Sequence, residues 1–163
     1  MKRKVVFFDR DGVINNNGHY YTFKWEEFSF NIGVVETMLV LRNEGYEFIV
    51  ISNQSGIAKG LYSIIDVEKL HKQISLYIQK NNLHILEYYY CTHHPEFSNC
   101  LCRKPSPLLF EKAIARFDID TSQSWMIGDQ PRDIEAAEKV GIKGILIEPN
   151  SDLRQIINVI LKQ

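Results

Sequence analysis

Acidic residues recur in this sequence where short apolar runs end. Val5–Phe8 runs into Asp9-Arg10-Asp11-Gly12, and Trp125–Ile127 into Gly128-Asp129, with Asp133 four residues on. Between them, Phe48–Ile51 ends in Ser52-Asn53-Gln54-Ser55-Gly56, and a later loop carries Arg103-Lys104-Pro105. If the runs are neighbouring strands, these carboxylates, a hydroxyl and two cations converge on one edge. Carboxylates that share a site repel one another unless a cation joins them. Hard oxygen ligands in this number suit Mg²⁺, and the hydroxyl and the cations suit a phosphoryl group.

A second group is Cys91-Thr92-His93 with Cys100-Leu101-Cys102. Three cysteines cannot pair off as disulfides without leaving one over, and their clustering in a polar loop points to a metal. Three thiolates and one imidazole close a tetrahedral zinc site with no position left for water, so the Zn²⁺ is expected to be structural. His93 is the expected imidazole and His94 the competing one. Cys102 adjoins Arg103-Lys104, so the metal would also fix the loop that presents those cations.

The elements that must position these residues alternate along the chain. Val5–Phe8, Phe48–Ile51, Leu86–Tyr90, Trp125–Ile127 and Gly144–Ile147 read as strands that are apolar on both faces. Helices are expected at about Val34–Asn43, Asp66–Lys80, Pro107–Phe117, Pro131–Val140 and Ser151–Leu161, with stops at Gly45 and Gly141 and an N-cap at Ser151. The alternation predicts an α/β fold, a three-layer α/β/α Rossmann-like arrangement around a central parallel sheet. In such sheets ligands bind beyond the carboxyl ends of the strands, which is where the polar residues fall. Asn15–Phe30 and Thr92–Ser106 escape the alternation, and loops this long are usually functional.

The chain has 163 residues, with 45% hydrophobic and 24% charged, an ordinary globular composition that excludes disorder. One domain spanning 1–163, with a zinc-binding loop at 91–102, is expected. The net charge of −1 argues against a nucleic-acid partner. The basic start is followed by only a short apolar run, with no signal-peptide or membrane-length segment, so a cytoplasmic protein without membrane contact is expected. His19, His71 and His84 read as surface or partly packed histidines. The aromatics Tyr20, Tyr21, Phe23, Trp25, Phe28 and Phe30 read as packing for the first long loop, with a tyrosine edge as a candidate sugar wall.

Together, Asp9-Arg10-Asp11-Gly12, Ser52-Asn53-Gln54-Ser55-Gly56, Lys104-Pro105 and Gly128-Asp129 with Asp133 resemble the four ordered motifs of the haloacid dehalogenase (HAD) superfamily phosphatases. The resemblance spans nearly the whole chain. It implies Asp9 as nucleophile, forming an aspartyl-phosphate, and Asp11 as the acid and then base. It implies Mg²⁺ on the side chains of Asp9 and Asp129 and the backbone carbonyl of Asp11, with Asp133 supporting the metal shell. Ser52 and Lys104 would bind the phosphoryl oxygens.

The zinc loop, Cys-Arg-Lys-Pro and Asn-Gln-Ser-Gly-Ile-Ala-Lys-Gly look like the D-glycero-D-manno-heptose 1,7-bisphosphate 7-phosphatases. These act on a small phosphorylated sugar without a large cap domain. The stretch between the first two motifs, filled by a loop, a helix and a strand, leaves no room for a cap here either. Arg103 is then the leading candidate for the sugar or its second phosphate, with Asn53 and Lys59 as helpers. Lys59 stands where Arg is usual, which keeps the charge and loses the bidentate fork. Gln130-Pro131-Arg132 stands where relatives place a basic residue directly after the aspartate. Gly141-Ile142-Lys143-Gly144 leans towards the histidinol-phosphate phosphatases, the alternative within the class. Outside it, a phospho-accepting receiver module is the alternative, and the second carboxylate, Asp11, argues against it because it would drive hydrolysis. A monomer is expected.

Overall fold

Runs rich in β-branched and aromatic residues form five strands: β1 (Lys4–Phe8), β2 (Tyr46–Asn53), β3 (Ile85–Cys91), β4 (Trp125–Gly128) and β5 (Lys143–Leu146). The structure is a computed structural model that describes residues 2–162. All strand pairs are parallel, in the order β3-β2-β1-β4-β5. Alternating side chains give the sheet two cores. Val6, Phe8, Phe48, Val50 and Ile127 face one layer, and Val5, Phe7, Ile49, Ile51 and Met126 the other. Both faces are covered as expected for the inner strands, but β3 and β5 are half-exposed because they are the sheet's edges.

Four helices link the strands: α1 (Val34–Asn43), α2 (Ile64–Gln79), α3 (Leu108–Phe117) and α4 (Pro131–Glu138). Val34, Met38 and Leu41 of α1 and Leu70, Ile74 and Ile78 of α2 pack on the first face. Leu109, Phe110 and Ala113 of α3 and Ala136 and Ala137 of α4 pack on the second. The side changes after β3 because right-handed crossovers must wind outward in opposite senses from the central β1. That reversal opens a crevice between the carboxyl ends of β1 and β4, the position where open α/β sheets bind ligands.

Two helix starts differ from the sequence expectation. α2 begins at Ile64 because Ser63 and Asp66 form a capping box: the Ser63 Oγ accepts from the Asp66 N–H at 3.2 Å and Asp66 Oδ2 from the Ser63 N–H at 2.8 Å. The last helix is not capped by Ser151. Asp152 accepts the Arg154 N–H at 3.0 Å, a 3₁₀ turn follows at Leu153–Ile156, and α5 covers only Ile157–Leu161. Ser151 instead donates to the Glu148 carbonyl at 2.6 Å. Gly45 and Gly141 end their helices at φ of 83° and 78°, as expected of C-terminal glycines. Among the described residues, no helix is long and apolar enough to cross a membrane.

Candidate active site

Strand ends β1, β2 and β4 deliver their polar residues to one cavity of about 400 Å³, large enough for a small phosphorylated molecule. Asp9 follows β1, where its N–H donates to the Ile127 carbonyl of β4 at 2.9 Å. This backbone bond puts Asp9 beside Asp129, which follows β4. The carboxylates of Asp9, Asp129 and Asp133 each offer an oxygen within 4.8 Å of the others. Lys104, with 1% of its surface exposed, is driven among them. Its Nζ lies 2.9 Å from Asp9 Oδ1 and 2.7 Å from Asp133 Oδ1, and donates to the Ile51 carbonyl at 2.7 Å.

One cation does not balance three carboxylates. Burial pushes the Asp9 carboxyl up to about 7, against the pull of Lys104, and the nearby Asp133, Asp129 and Asp11 push the same way. Burial and Asp133 also raise Asp129. Asp129 Oδ1 is buried with no hydrogen-bond partner. An orphaned carboxylate oxygen beside two more carboxylates is the donor set of a hard divalent cation, so these residues fit Mg²⁺.

Asp133 serves two purposes. Its Oδ1 faces Lys104, while its Oδ2 accepts the Gln130 N–H at 3.1 Å and so supports the first turn of α4. Gly12 explains the sharp turn after Asp11. Its φ is +87°, and a Cβ there would lie 2.4 Å from Asp129 Oδ2. Gly12→Ala is therefore expected to displace Asp129, to cost at least ~1–2 kcal/mol from the left-handed backbone alone, and to weaken Mg²⁺ binding. A magnesium titration of the thermal midpoint checks this; an unchanged titration would sink it.

Asp11 also lines the cavity, but it is tethered. The Arg10 Nη2 donates to its Oδ1 at 3.0 Å and its Oδ2 at 3.1 Å, Asn15 Nδ2 donates to Oδ1 at 3.0 Å, and Gln54 Nε2 donates to Oδ2 at 3.0 Å. Sequence reasoning passed over Arg10 and Gln54. The available signal was their position, Arg10 between the two aspartates and Gln54 two residues beyond Ser52. Tyr62 was also missed: its hydroxyl donates to Gln54 Oε1 at 2.8 Å, and it stacks on Phe23 with ring centroids 4.9 Å apart.

The remaining candidates fall as follows. Ser52 lies beneath the cavity floor, its Oγ accepting from Gln54 Nε2 at 2.6 Å, and it is not among the lining residues. Asn53 lines the cavity and also grips the Lys104 backbone, accepting its N–H at 3.0 Å and donating to its carbonyl at 3.2 Å. Lys59, Arg103 and Arg132 line the cavity as its cations, and Tyr20 and Tyr21 line it as well, with Lys59 Nζ 5.9 Å from the centre of the Tyr21 ring. Arg132, in the helix after Asp129, brings to the cavity the positive charge that Gln130 lacks. His71 contradicts its reading as a surface or partly packed residue: it is buried beneath Arg10. Its helical spacing with Val67, Leu70, Ile74 and Ile78 was the signal for burial.

The cysteine cluster forms at the end of β3. Cys91 Sγ lies 3.7 Å from Cys100 Sγ and 3.2 Å from Cys102 Sγ, and His93 Nδ1 lies 3.6 Å from Cys91 Sγ and 3.3 Å from Cys102 Sγ. Ligand atoms around a tetrahedral zinc lie roughly 3.3–3.8 Å apart for bonds of about 2.0–2.3 Å; the Cys91–Cys102 pair is slightly closer and the other three separations fall in that range, so the donor set fits with a small opening of that pair. His94 is outside it: its Nδ1 accepts the Glu96 N–H at 3.2 Å, and its side chain lines the cavity. Burial pushes the Cys91 thiol up; backbone N–H groups of Arg103 and Cys102 outweigh burial at Cys100 and lower it. The cluster joins the cavity directly, because Gln54 N–H donates to the Cys91 carbonyl at 2.7 Å and Lys104 follows Cys102 by two residues.

Comparison with known proteins agrees with this geometry. The HAD-hydrolase-like family model matches residues 101–155. The D-glycero-alpha-D-manno-heptose-1,7-bisphosphate 7-phosphatase of Photorhabdus laumondii is 37% identical over 86% of this chain and 80% of its own length. The D-glycero-beta-D-manno-heptose-1,7-bisphosphate 7-phosphatase of Helicobacter pylori strain 26695 is 38% identical over 88% of this chain and 83% of its own length. The crystal structure of the D,D-heptose 1,7-bisphosphate phosphatase of B. bronchiseptica, complexed with magnesium and phosphate, superposes with a TM-score of 0.83 at 26% identity, covering 93% of this chain and 84% of that one. A parallel sheet with its acidic crevice at the β1–β4 switch and relatives this similar lead to one assignment: the chain is a HAD-like phosphatase and belongs to the heptose-1,7-bisphosphate 7-phosphatase family.

Proposed function

We propose that this protein hydrolyses the 7-phosphate of D-glycero-D-manno-heptose 1,7-bisphosphate, with Mg²⁺ in the acidic crevice and a structural Zn²⁺ in the 91–102 loop. The observation that carries the reading is Lys104 seated between Asp9 and Asp133 while Asp129 keeps an unpartnered oxygen. A nucleophilic carboxylate, a phosphate-binding cation and a divalent-cation site then share one cavity. The substrate follows the names of the relatives, which favour the heptose bisphosphate over histidinol phosphate.

In the proposed mechanism, Asp9, Asp129 and the Asp11 carbonyl would hold Mg²⁺, which would supply the positive charge that lets a carboxylate approach a phosphate. Asp9 attacks phosphorus and carries the phosphoryl group as an aspartyl-phosphate. Asp11 gives its proton to the departing sugar oxygen and then takes one from the water that hydrolyses the intermediate. Lys104 holds the phosphoryl oxygens as charge builds, while Ser52, bonded to Gln54 under the cavity floor, supports that floor. Arg103 and Lys59 hold the far end of the substrate, with Asn53 fixing the Lys104 backbone and Asp133 fixing Lys104 itself. The proposed catalytic unit is residues 1–163 as one domain, acting as a monomer.

The deciding assay is phosphate release from both anomers of the heptose bisphosphate and from histidinol phosphate, with Mg²⁺ and with EDTA. Magnesium-dependent preference for a heptose bisphosphate is expected; preference for histidinol phosphate would overturn the substrate. The zinc reading has its own test. Cys102→Ser is expected to lose the bound zinc, by elemental analysis, and to lower kcat/KM roughly 10–100-fold through the displaced Arg103-Lys104. Full zinc occupancy in that variant would remove the assignment.

A further inference from the structure

Among the described residues Arg10 is the largest fully buried side chain, 0% exposed, and no step of the proposed reaction uses it. A buried guanidinium requires partners on every side. On one edge it forks onto Asp11. On its others, Nη2 donates to the Thr22 carbonyl, and Nη1 lies 3.4 Å from His71 Nε2. Arginine has only donors, so His71 Nε2 must accept, which fixes the imidazole as the neutral tautomer with its proton on Nδ1. Burial, and then the Arg10 charge, hold His71 well below its ordinary pKa, in keeping with that role. Tyr88 stacks on the imidazole with centroids 4.3 Å apart, and Tyr90 meets it edge-on at 5.5 Å. Tyr88 is in turn tied to Ser75 of α2 through their hydroxyls at 3.0 Å.

We infer that His71, neutral and clamped by Tyr88 and Tyr90, is a positioning residue that holds the Arg10 fork in plane, and that Arg10 thereby sets the position of the Asp11 carboxylate for proton transfer. The inference rests on the reading of Asp11 as acid and base. The physical need is clear from the chain. Asp11 lies in a turn and is partly exposed, with 27% of its side chain open to solvent. Left to itself it would sample several rotamers, whereas proton transfer requires one placement within hydrogen-bond reach of the leaving oxygen. The fork contacts both oxygens, so it fixes the plane of the carboxylate as well as its place. A lone cation could not do this. His71 does the same for Arg10: it is the partner of Nη1, whereas Asp11, the Thr22 carbonyl and Gln54 Oε1 all engage Nη2, so with this acceptor gone one end of the guanidinium loses its hold.

The role predicts a loss that depends on the leaving group. Departure of an alkoxide needs Asp11's proton, whereas departure of p-nitrophenolate does not. The quantity to measure is kcat/KM, which stops at the first irreversible step and so isolates phosphoryl transfer from the later hydrolysis. For His71→Phe, kcat/KM on a sugar phosphate is expected to fall roughly tenfold or more. On p-nitrophenyl phosphate it is expected to stay within about twofold. His71→Gln, which can return an acceptor to Arg10, is expected to recover most of the loss. Arg10→Lys, which cannot span both carboxylate oxygens, should show the same selective loss and serves if the Phe variant does not fold.

Equal losses on both substrates, or no loss, would overturn the assignment. Lack of recovery in a folded His71→Gln would do the same. Failure of the parent reading looks different: a wild type that releases phosphate from neither compound removes both the phosphatase mechanism and this role. An Asp11→Asn variant without the same leaving-group selectivity removes Asp11 as the acid, and Arg10 and His71 with it.

Discussion

Asp9→Asn is expected to abolish phosphate release, with a loss of roughly 10⁴-fold or more, while the protein remains folded. The amide has the shape of the carboxylate and can still accept from Lys104 Nζ, so the packing around the site is preserved. It cannot form the bond to phosphorus, and removal of a nucleophile from a concerted site costs on this scale. The folding argument has a sign as well. Burial and three neighbouring carboxylates push Asp9 up to about 7, so its charge is a burden on the metal-free fold. Removing that charge is expected to leave the metal-free thermal midpoint unchanged or higher, and to shrink the rise that Mg²⁺ produces. Phosphate release and a melting curve with and without Mg²⁺ measure both. Retained turnover would remove Asp9 as nucleophile, and a collapsed midpoint would mean the charge is structural.

Lys104→Met carries the second large effect, and here stability and activity fall together. The side chain is fully buried, and its charge faces Asp9 and Asp133 at 2.9 and 2.7 Å. Burial alone would lower its pKa, but these two carboxylates raise it instead, so it remains charged. Breaking a buried ion pair by removing one partner costs about 3–5 kcal/mol, because the other charges stay behind uncompensated. At ~2–4 °C per kcal/mol for a chain of this size, the midpoint should fall by roughly 10 °C. Loss of a charge aimed at the transferring phosphoryl group should cost a further ~10²–10³ in kcat. Part of the stability should return in Lys104→Met combined with Asp133→Asn, since that removes one orphaned charge, but the activity should not. A single variant with an unchanged midpoint would show that solvent or metal already balances the carboxylates.

The strand ends were legible without coordinates because the parallel sheet leaves its signature in the chain. Asp9, Ser52 and Asp129 each follow a run that is apolar on both faces, and only buried strands need such runs. The gathering of Cys91, His93, Cys100 and Cys102 was legible because all four fall in one short polar loop. Other features depended on contacts far apart in sequence. Ser52 was expected in the cavity, but Gln54 draws its hydroxyl beneath the floor. Asn53 was expected to help with substrate, yet it also grips the Lys104 backbone from 51 residues away. His93 and His94 were equal in type and adjacent in position; the direction of the chain leaving Cys91 turns the first into the thiol cluster and the second towards the cavity.

Side-chain type and local period therefore determined the fold class, an acidic cluster at the strand ends and a cluster of three cysteines with one histidine. The tertiary structure decided the strand order, with β1 and β4 adjacent, and thus which carboxylates meet. It also decided that Lys104 balances two of them, that Asp129 keeps an open oxygen, and that Arg10 and His71 stand behind Asp11. The division has a physical cause. Apolar periodicity and ligand chemistry are properties of neighbouring residues, whereas burial of a charge is settled only when distant segments close around it and its partners must be supplied from whatever lies there.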